Sequence, residues 1–153
     1  MLTQKNAWRR TAAPLAALVL SGAALTTVTA SPAAAATCSG SLIETKNIKN
    51  GDTIYAKLKV YYNSSTKKNC ALVTNEIGGS RYMMAAIARC SEGTGSGPGD
   101  ICSVEAWNSD SDYYEYYAGP VYTIPAAGHC ILAEGYIRVG SFEKSVFIDG
   151  HCG

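Results

Sequence analysis

The stretch "GDTIYAKLKVYYNS" at residues 51–64 alternates with a period of two along most of its length. Ile54, Ala56, Leu58, Val60 and Tyr62 fall on one side; Thr53, Tyr55, Lys57, Lys59 and Tyr61 fall on the other. Successive side chains of an extended chain point to opposite faces, so this alternation behind a Gly-Asp turn predicts a half-buried β-strand. The polar "NSSTKKN" at 63–69 then reads as a hairpin loop, and "CALVTNE" from Cys70 as the next strand.

The rest of the chain repeats that scale. "RYMMAAIARC" at 81–90 contains the helix formers Met and Ala. It is nevertheless of strand length between "GGS" and "SEGTGSGPGD", with Tyr82, Met84, Ala86 and Ala88 on one side, and the strand reading agrees with its neighbours. Further strands are expected at 101–107 ("ICSVEAW"), 113–117 ("YYEYY"), 120–124 ("PVYTI"), 129–139 ("HCILAEGYIRV") and 141–149 ("SFEKSVFID"). Turn residues recur at roughly 8 to 12 residues and no long amphipathic helix is present, which predicts an all-β sandwich or barrel of about 7–8 antiparallel strands. No repeat or linker divides it, so residues 37–153 are expected to form a single domain.

Residues 1–36 have the form of an export signal: Lys5, Arg9 and Arg10, an apolar stretch from Leu15 to Leu25, then "AAAA" at 33–36. Ser21 and Gly22 interrupt the apolar run, which falls short of the ~20 apolar residues of a membrane span. "TAAPL" after the two arginines fits a twin-arginine signal poorly, and Thr37 stands where a lipid-anchored chain would have Gly or Ala before Cys38. Cleavage after Ala36 is the expectation. Without Lys5, Arg9 and Arg10 the remainder has 10 basic and 12 acidic residues, no electrostatic footprint for nucleic acid or an anionic membrane.

All 6 cysteines, Cys38, Cys70, Cys90, Cys102, Cys130 and Cys152, lie after that leader. An even number in an exported chain predicts three disulfides, and no pair has the close spacing of a zinc site. Cys90 with Cys102 is the favoured pair, closing a Gly/Pro-rich loop; Cys38 with Cys152 would tie the ends together.

Groups that carry chemistry are sparse. His129 and His151 are the two histidines available as bases, and no nucleophile elbow, HExxH or Walker sequence accompanies them. Asp110, Asp112 and Glu115 cluster as oxygen ligands for calcium would, but they lack EF-hand spacing, and Asp/Ser runs also form turns. Nothing sets Asp112 and Glu115 apart as the unlike acid and base of a glycosidase. "GTGSGPG" at 93–99 has the glycines of a phosphate loop without its lysine. No cofactor and no metal is expected.

Tyrosine is the conspicuous residue. In "YYEYY", Tyr113 and Tyr117 share one parity and Tyr114 and Tyr116 the other, so one of these pairs is expected to be free for a partner. Tyr combines a large apolar ring with a polar tip, which suits a sheet face that touches carbohydrate or protein. Tyr55 and Tyr61 would extend that face.

"CSGSLIE", "LKVYYNSS…KNC" at 58–70, "YYAGPVY" at 116–122, "AGHCI" at 127–131 and the final "HCG" together resemble the spore-associated protein A-like proteins of filamentous actinomycetes. The resemblance runs over most of residues 37–153 and implies a small secreted protein of the spore or cell surface, without an established reaction or catalytic residues. It departs at Ala133-Glu134-Gly135, where that family has Asp-Trp-Gly. The expected function is a structural, adhesive or interaction role with a spore, cell-surface or extracellular protein partner. The alternative is inhibition of an extracellular hydrolase through loop 93–99.

Overall fold

A computed structural model describes residues 37–96 and 100–153; the expected leader and the 97–99 portion of the proposed inhibitory loop lie outside the described residues. The elements are β1 (Ser41–Asn50), β2 (Thr53–Asn63), β3 (Lys68–Asn75), β4 (Arg81–Cys90), β5 (Val104–Tyr114), β6 (Tyr117–Tyr122), β7 (Ile131–Val139) and β8 (Phe142–Gly150). They form two four-stranded antiparallel sheets of order β1-β2-β3-β6 and β5-β4-β7-β8, packed as a sandwich.

The period-two reading of β2 holds where it matters. Ala56, Leu58 and Val60 are fully buried, facing a core completed by Ala71, Val73, Met83, Ala85, Ile87 and Ile137. Gly135 of β7 lets the sheets approach closely: a Cβ there would stand 2.9 Å from the Leu58 Cβ and 3.0 Å from the Val73 Cγ2. In β4 the inward residues are Met83, Ala85 and Ile87, which leaves Tyr82, Met84, Ala86 and Ala88 on the outer side, as a group.

Two boundaries differ from the sequence reading. β1 is not among the expected strands, because it borders one partner only and is exposed on both sides except at the half-buried Glu44 and the buried Ile48; it has no alternation to read. The segments expected as separate strands at 101–107 and 113–117 instead contribute to one long β5 and, after a turn at Glu115 and Tyr116, to β6 in the other sheet. "NSDSD" in its middle is strand despite its turn-like composition, because Asn108 and Asp110 point toward the edge of β6 and satisfy it. Asn108 Nδ2 donates to the Tyr122 carbonyl at 3.3 Å, and the Gly119 amide donates to Asp110 Oδ2 at 2.7 Å.

The opposite seam is stitched in the same manner. Lys46 Nζ donates to the Phe147 carbonyl at 2.7 Å, Lys144 Nζ to the Lys49 carbonyl at 3.3 Å, and His151 Nε2 to Glu44 Oε2 at 2.6 Å. Unpaired strand edges template aggregation, and polar side chains across both seams oppose it.

The disulfides are Cys38–Cys70, Cys90–Cys102 and Cys130–Cys152. The favoured pair is present. The expected Cys38–Cys152 link is not: Cys38 packs on the outer side of the first sheet beside Cys70 and Leu72, whereas Cys152 follows β8 of the second sheet and meets Cys130 ahead of β7. Disulfides of this kind belong to oxidising compartments. Among the described residues no helix is long and apolar enough to cross a membrane.

Candidate functional site

The turn after β5 resets the parity of the tyrosines. Tyr113 is 62% exposed and Tyr116, in the turn, 70%, while Tyr114 and Tyr117 are partly buried, so neither pair expected from alternation is the free one. Tyr114 turns inward and donates from its hydroxyl to Asp110 Oδ1 at 2.5 Å. Burial first, then this bond and the Asp110 charge, push its hydroxyl up to about 12. Tyr117 and Tyr61 pack with Tyr122 over the Cys38–Cys70 disulfide and Leu72. Tyr55 is the extra residue where the β1–β2 register shifts between Ile48 and Lys49; the bulge aims it around the end of the sandwich. Its ring lies edge-on to Phe142, 5.0 Å between centroids. Tyr55 and Tyr61 therefore do not extend one patch with Tyr113. Tyr114, Glu115, Tyr116, Tyr117 and Gly119 line a shallow notch of about 240 Å³ at the turn.

The other candidates serve the frame. Asp110 is taken by Tyr114 and Gly119, and Asp112 accepts the Tyr113 amide at 2.7 Å. Among the described residues no three His, Cys, Asp or Glu side chains are grouped as a metal ion would require. His129 Nδ1 donates to the Cys90 carbonyl at 3.0 Å and lies 3.9 Å from Glu105, which in turn pairs with Arg89 at 2.6 Å. Ser96 bonds to Asp100 across the tip of the Cys90–Cys102 loop.

What the register assembles instead is the outer face of the second sheet. Tyr113 lies directly opposite Tyr82, and Tyr82 opposite Arg138. Tyr136 is opposite Met84 and Ser145, and Phe147 is two residues beyond Ser145, so Phe147, Tyr136, Tyr82 and Tyr113 form a diagonal across all four strands. Diagonal neighbours in antiparallel sheets are within reach of aromatic rings. Tyr82 meets Tyr113 at 5.5 Å and Tyr136 at 6.1 Å, both edge-to-face. Strand spacing and rise give the diagonal a length of roughly 20 Å.

Arg138 fixes one end. Its guanidinium lies 4.9 Å from the Tyr82 ring centre and donates through Nη2 to the Tyr113 hydroxyl at 3.1 Å. That bond holds the guanidinium above its ordinary value, and burial followed by a hydrogen bond with Glu143 raises the Tyr136 hydroxyl. The row thus stands beside a permanent cation, the Arg138 guanidinium. Beside the diagonal, Ser145 Oγ donates to Glu134 Oε1 at 2.7 Å. Ala86 and Ala88 on this outward side are fully buried, so the longer side chains on either strand must lie across them. Trp107, opposite Ala88 and 46% exposed, occupies a separate corner and also borders a cleft of about 210 Å³ with Ile87, Asn108, Tyr122 and Ile124.

The sequence reading placed Tyr82 on a face and named Tyr113, but missed Tyr136, Arg138 and Phe147. Each does lie on the outward parity of its own strand; which strands stand side by side is a tertiary fact. Comparison with family models, with curated proteins and with solved structures gave no match.

Proposed function

We propose that this is a secreted, non-enzymatic protein of the spore or cell surface that works by binding, through the outer face of the second sheet. The observation that carries the reading is the diagonal of Phe147, Tyr136, Tyr82 and Tyr113, whose end rings are 46% and 62% exposed while its middle is locked by edge-to-face contacts and Arg138. Rigid aromatic side chains give contact area at low entropic cost, and Tyr, Trp and Arg dominate binding surfaces. Three disulfides suit a small extracellular scaffold, and the resemblance of "LKVYYNSS", "YYAGPVY" and "AGHCI" to spore-associated proteins supports a location at the spore or cell surface. Asp110, Glu105 and both histidines are engaged in holding strands and loops, which supports binding over catalysis.

Fractionation of the producing organism tests this. Wild-type protein is expected with washed spores or cells, and a Tyr113→Ala/Phe147→Ala double variant in the medium. Wild-type protein found in the medium alone refutes the reading.

A further inference from the structure

We infer that the ligand of this face is an uncharged polysaccharide chain, laid along the diagonal from Tyr113 to Phe147. The inference rests on the binding role proposed above and names its ligand. Three features select that chemistry.

The first is the shape of the aromatic set. Energetic centres of protein–protein interfaces gather near the middle of a patch, in desolvated pockets ringed by neutral contacts. Here the rings run in a line from one edge strand to the other, and the more exposed rings, Tyr113 and Phe147, are at its ends. A line of rings roughly 20 Å long fits an extended ligand.

The second is hydrogen bonding. β4 and β7, which carry the middle of the line, are paired on both sides, so their backbones cannot add another strand. An extended polypeptide lying on the face would leave its own amides and carbonyls in want of partners, a cost for each one buried. A sugar ring avoids that cost. It sets its C–H face on an aromatic ring and keeps its hydroxyls at its rim, within reach of water and of groups such as Glu134 and Ser145.

The third is charge. Across the outward positions of the sheet, Glu134, Glu143 and Asp149 stand against the single guanidinium of Arg138, which is already engaged by Tyr113 and lies 3.9 Å from Glu143. An anionic glycan or an anionic lipid surface would meet net repulsion.

The test uses the disulfide-bonded protein recovered from culture, with chitin, cellulose and a soluble uncharged β-glucan as probes, and with alginate, denatured casein and anionic phospholipid vesicles as comparators. Binding to at least one uncharged glycan is expected. Tyr113→Ala and Phe147→Ala should each weaken it about three- to tenfold, and the double variant about 10- to 100-fold. Tyr116→Ala, more exposed than either but off the face, should leave it unchanged. Quenching of wild-type tyrosine fluorescence by the soluble glucan supplies a readout that needs no variant. Binding to none of the three glycans, tighter binding to alginate, casein or vesicles, or equal binding by the double variant overturns the inference. Spore retention separates the two readings. Retention that depends on the face but resists competition by the bound glycan removes the polysaccharide alone; glycan binding in vitro without retention removes the surface location and leaves the ligand.

Discussion

Replacing Asp110 with alanine should cost far more than an exposed strand residue usually does. One carboxylate joins the edges of both sheets: Oδ2 accepts the Gly119 amide at 2.7 Å and Oδ1 accepts the Tyr114 hydroxyl at 2.5 Å. Hydrogen bonds to a charged partner contribute about 1.5–3 kcal/mol each, and the half-buried position puts both near the low end, so Asp110→Ala should lose about 2–4 kcal/mol. Asp110→Asn keeps one accepting oxygen for the Gly119 amide and sets an N–H₂ against the Tyr114 hydroxyl, which must turn from donor to acceptor to meet it. It should lose roughly half as much if the amide rotates to serve the better partner. Urea unfolding with a constant m-value reads both. A loss below about 0.5 kcal/mol for Asp110→Ala, the range of ordinary surface changes, would refute the clamp.

The same contact has an alkaline signature. Tyr114 is held neutral, pushed up to about 12, so its contribution to stability is complete below the ordinary tyrosine value of 10.0 and is lost as pH rises through about 12; among the late phenols in a spectrophotometric tyrosine titration, Tyr136 included, one should move earlier in Asp110→Ala. On the acid side, partial burial raises the Glu76 carboxyl, but hydrogen bonds from Lys57 and Thr74 outweigh it and leave it lowered. Its stabilisation therefore holds above the ordinary glutamate range and fades as pH falls through the lowered value, and Lys57→Met should bring acid unfolding to higher pH. Gly135→Ala drives a methyl into Leu58 and Val73 and should cost about 1–3 kcal/mol in thermal or urea unfolding. Cys90→Ser with Cys102→Ser releases a cross-link of sequence separation 12 and should cost about 3 kcal/mol on the loop-entropy model, measured against the intact protein.

Alternation was legible wherever a strand has one wet and one dry side. β2 could be read directly because Ala56, Leu58 and Val60 recur with period two among polar or half-buried neighbours, whereas β4, buried at Ala86 and Ala88 on its outward side too, was legible as a strand only from its length and its neighbours. β1 and the middle of β5 were illegible for a common reason: both are sheet-edge strands, where side chains such as Lys46 and Asp110 are chosen to bond across a seam. In the tyrosine-rich segment, alternation was extended through Glu115 and Tyr116, where the backbone turns; Asn75 holds that turn by donating to the Glu115 carbonyl at 2.8 Å, a contact 40 residues distant in sequence.

The sequence by itself determined an all-β chain, favoured Cys90 with Cys102 and grouped Tyr82 with Met84, Ala86 and Ala88 on one side of a strand, because those properties follow from local period and from loop length. Only the tertiary structure decided which tyrosines are free and which rings share a line. Tyr113, Tyr82, Tyr136 and Phe147 come from four strands, and their meeting depends on the order β5-β4-β7-β8 and on its register. A shift of one residue in any of those pairings would turn that strand's ring to the other face, so the candidate site is a property of the pairing rather than of any segment.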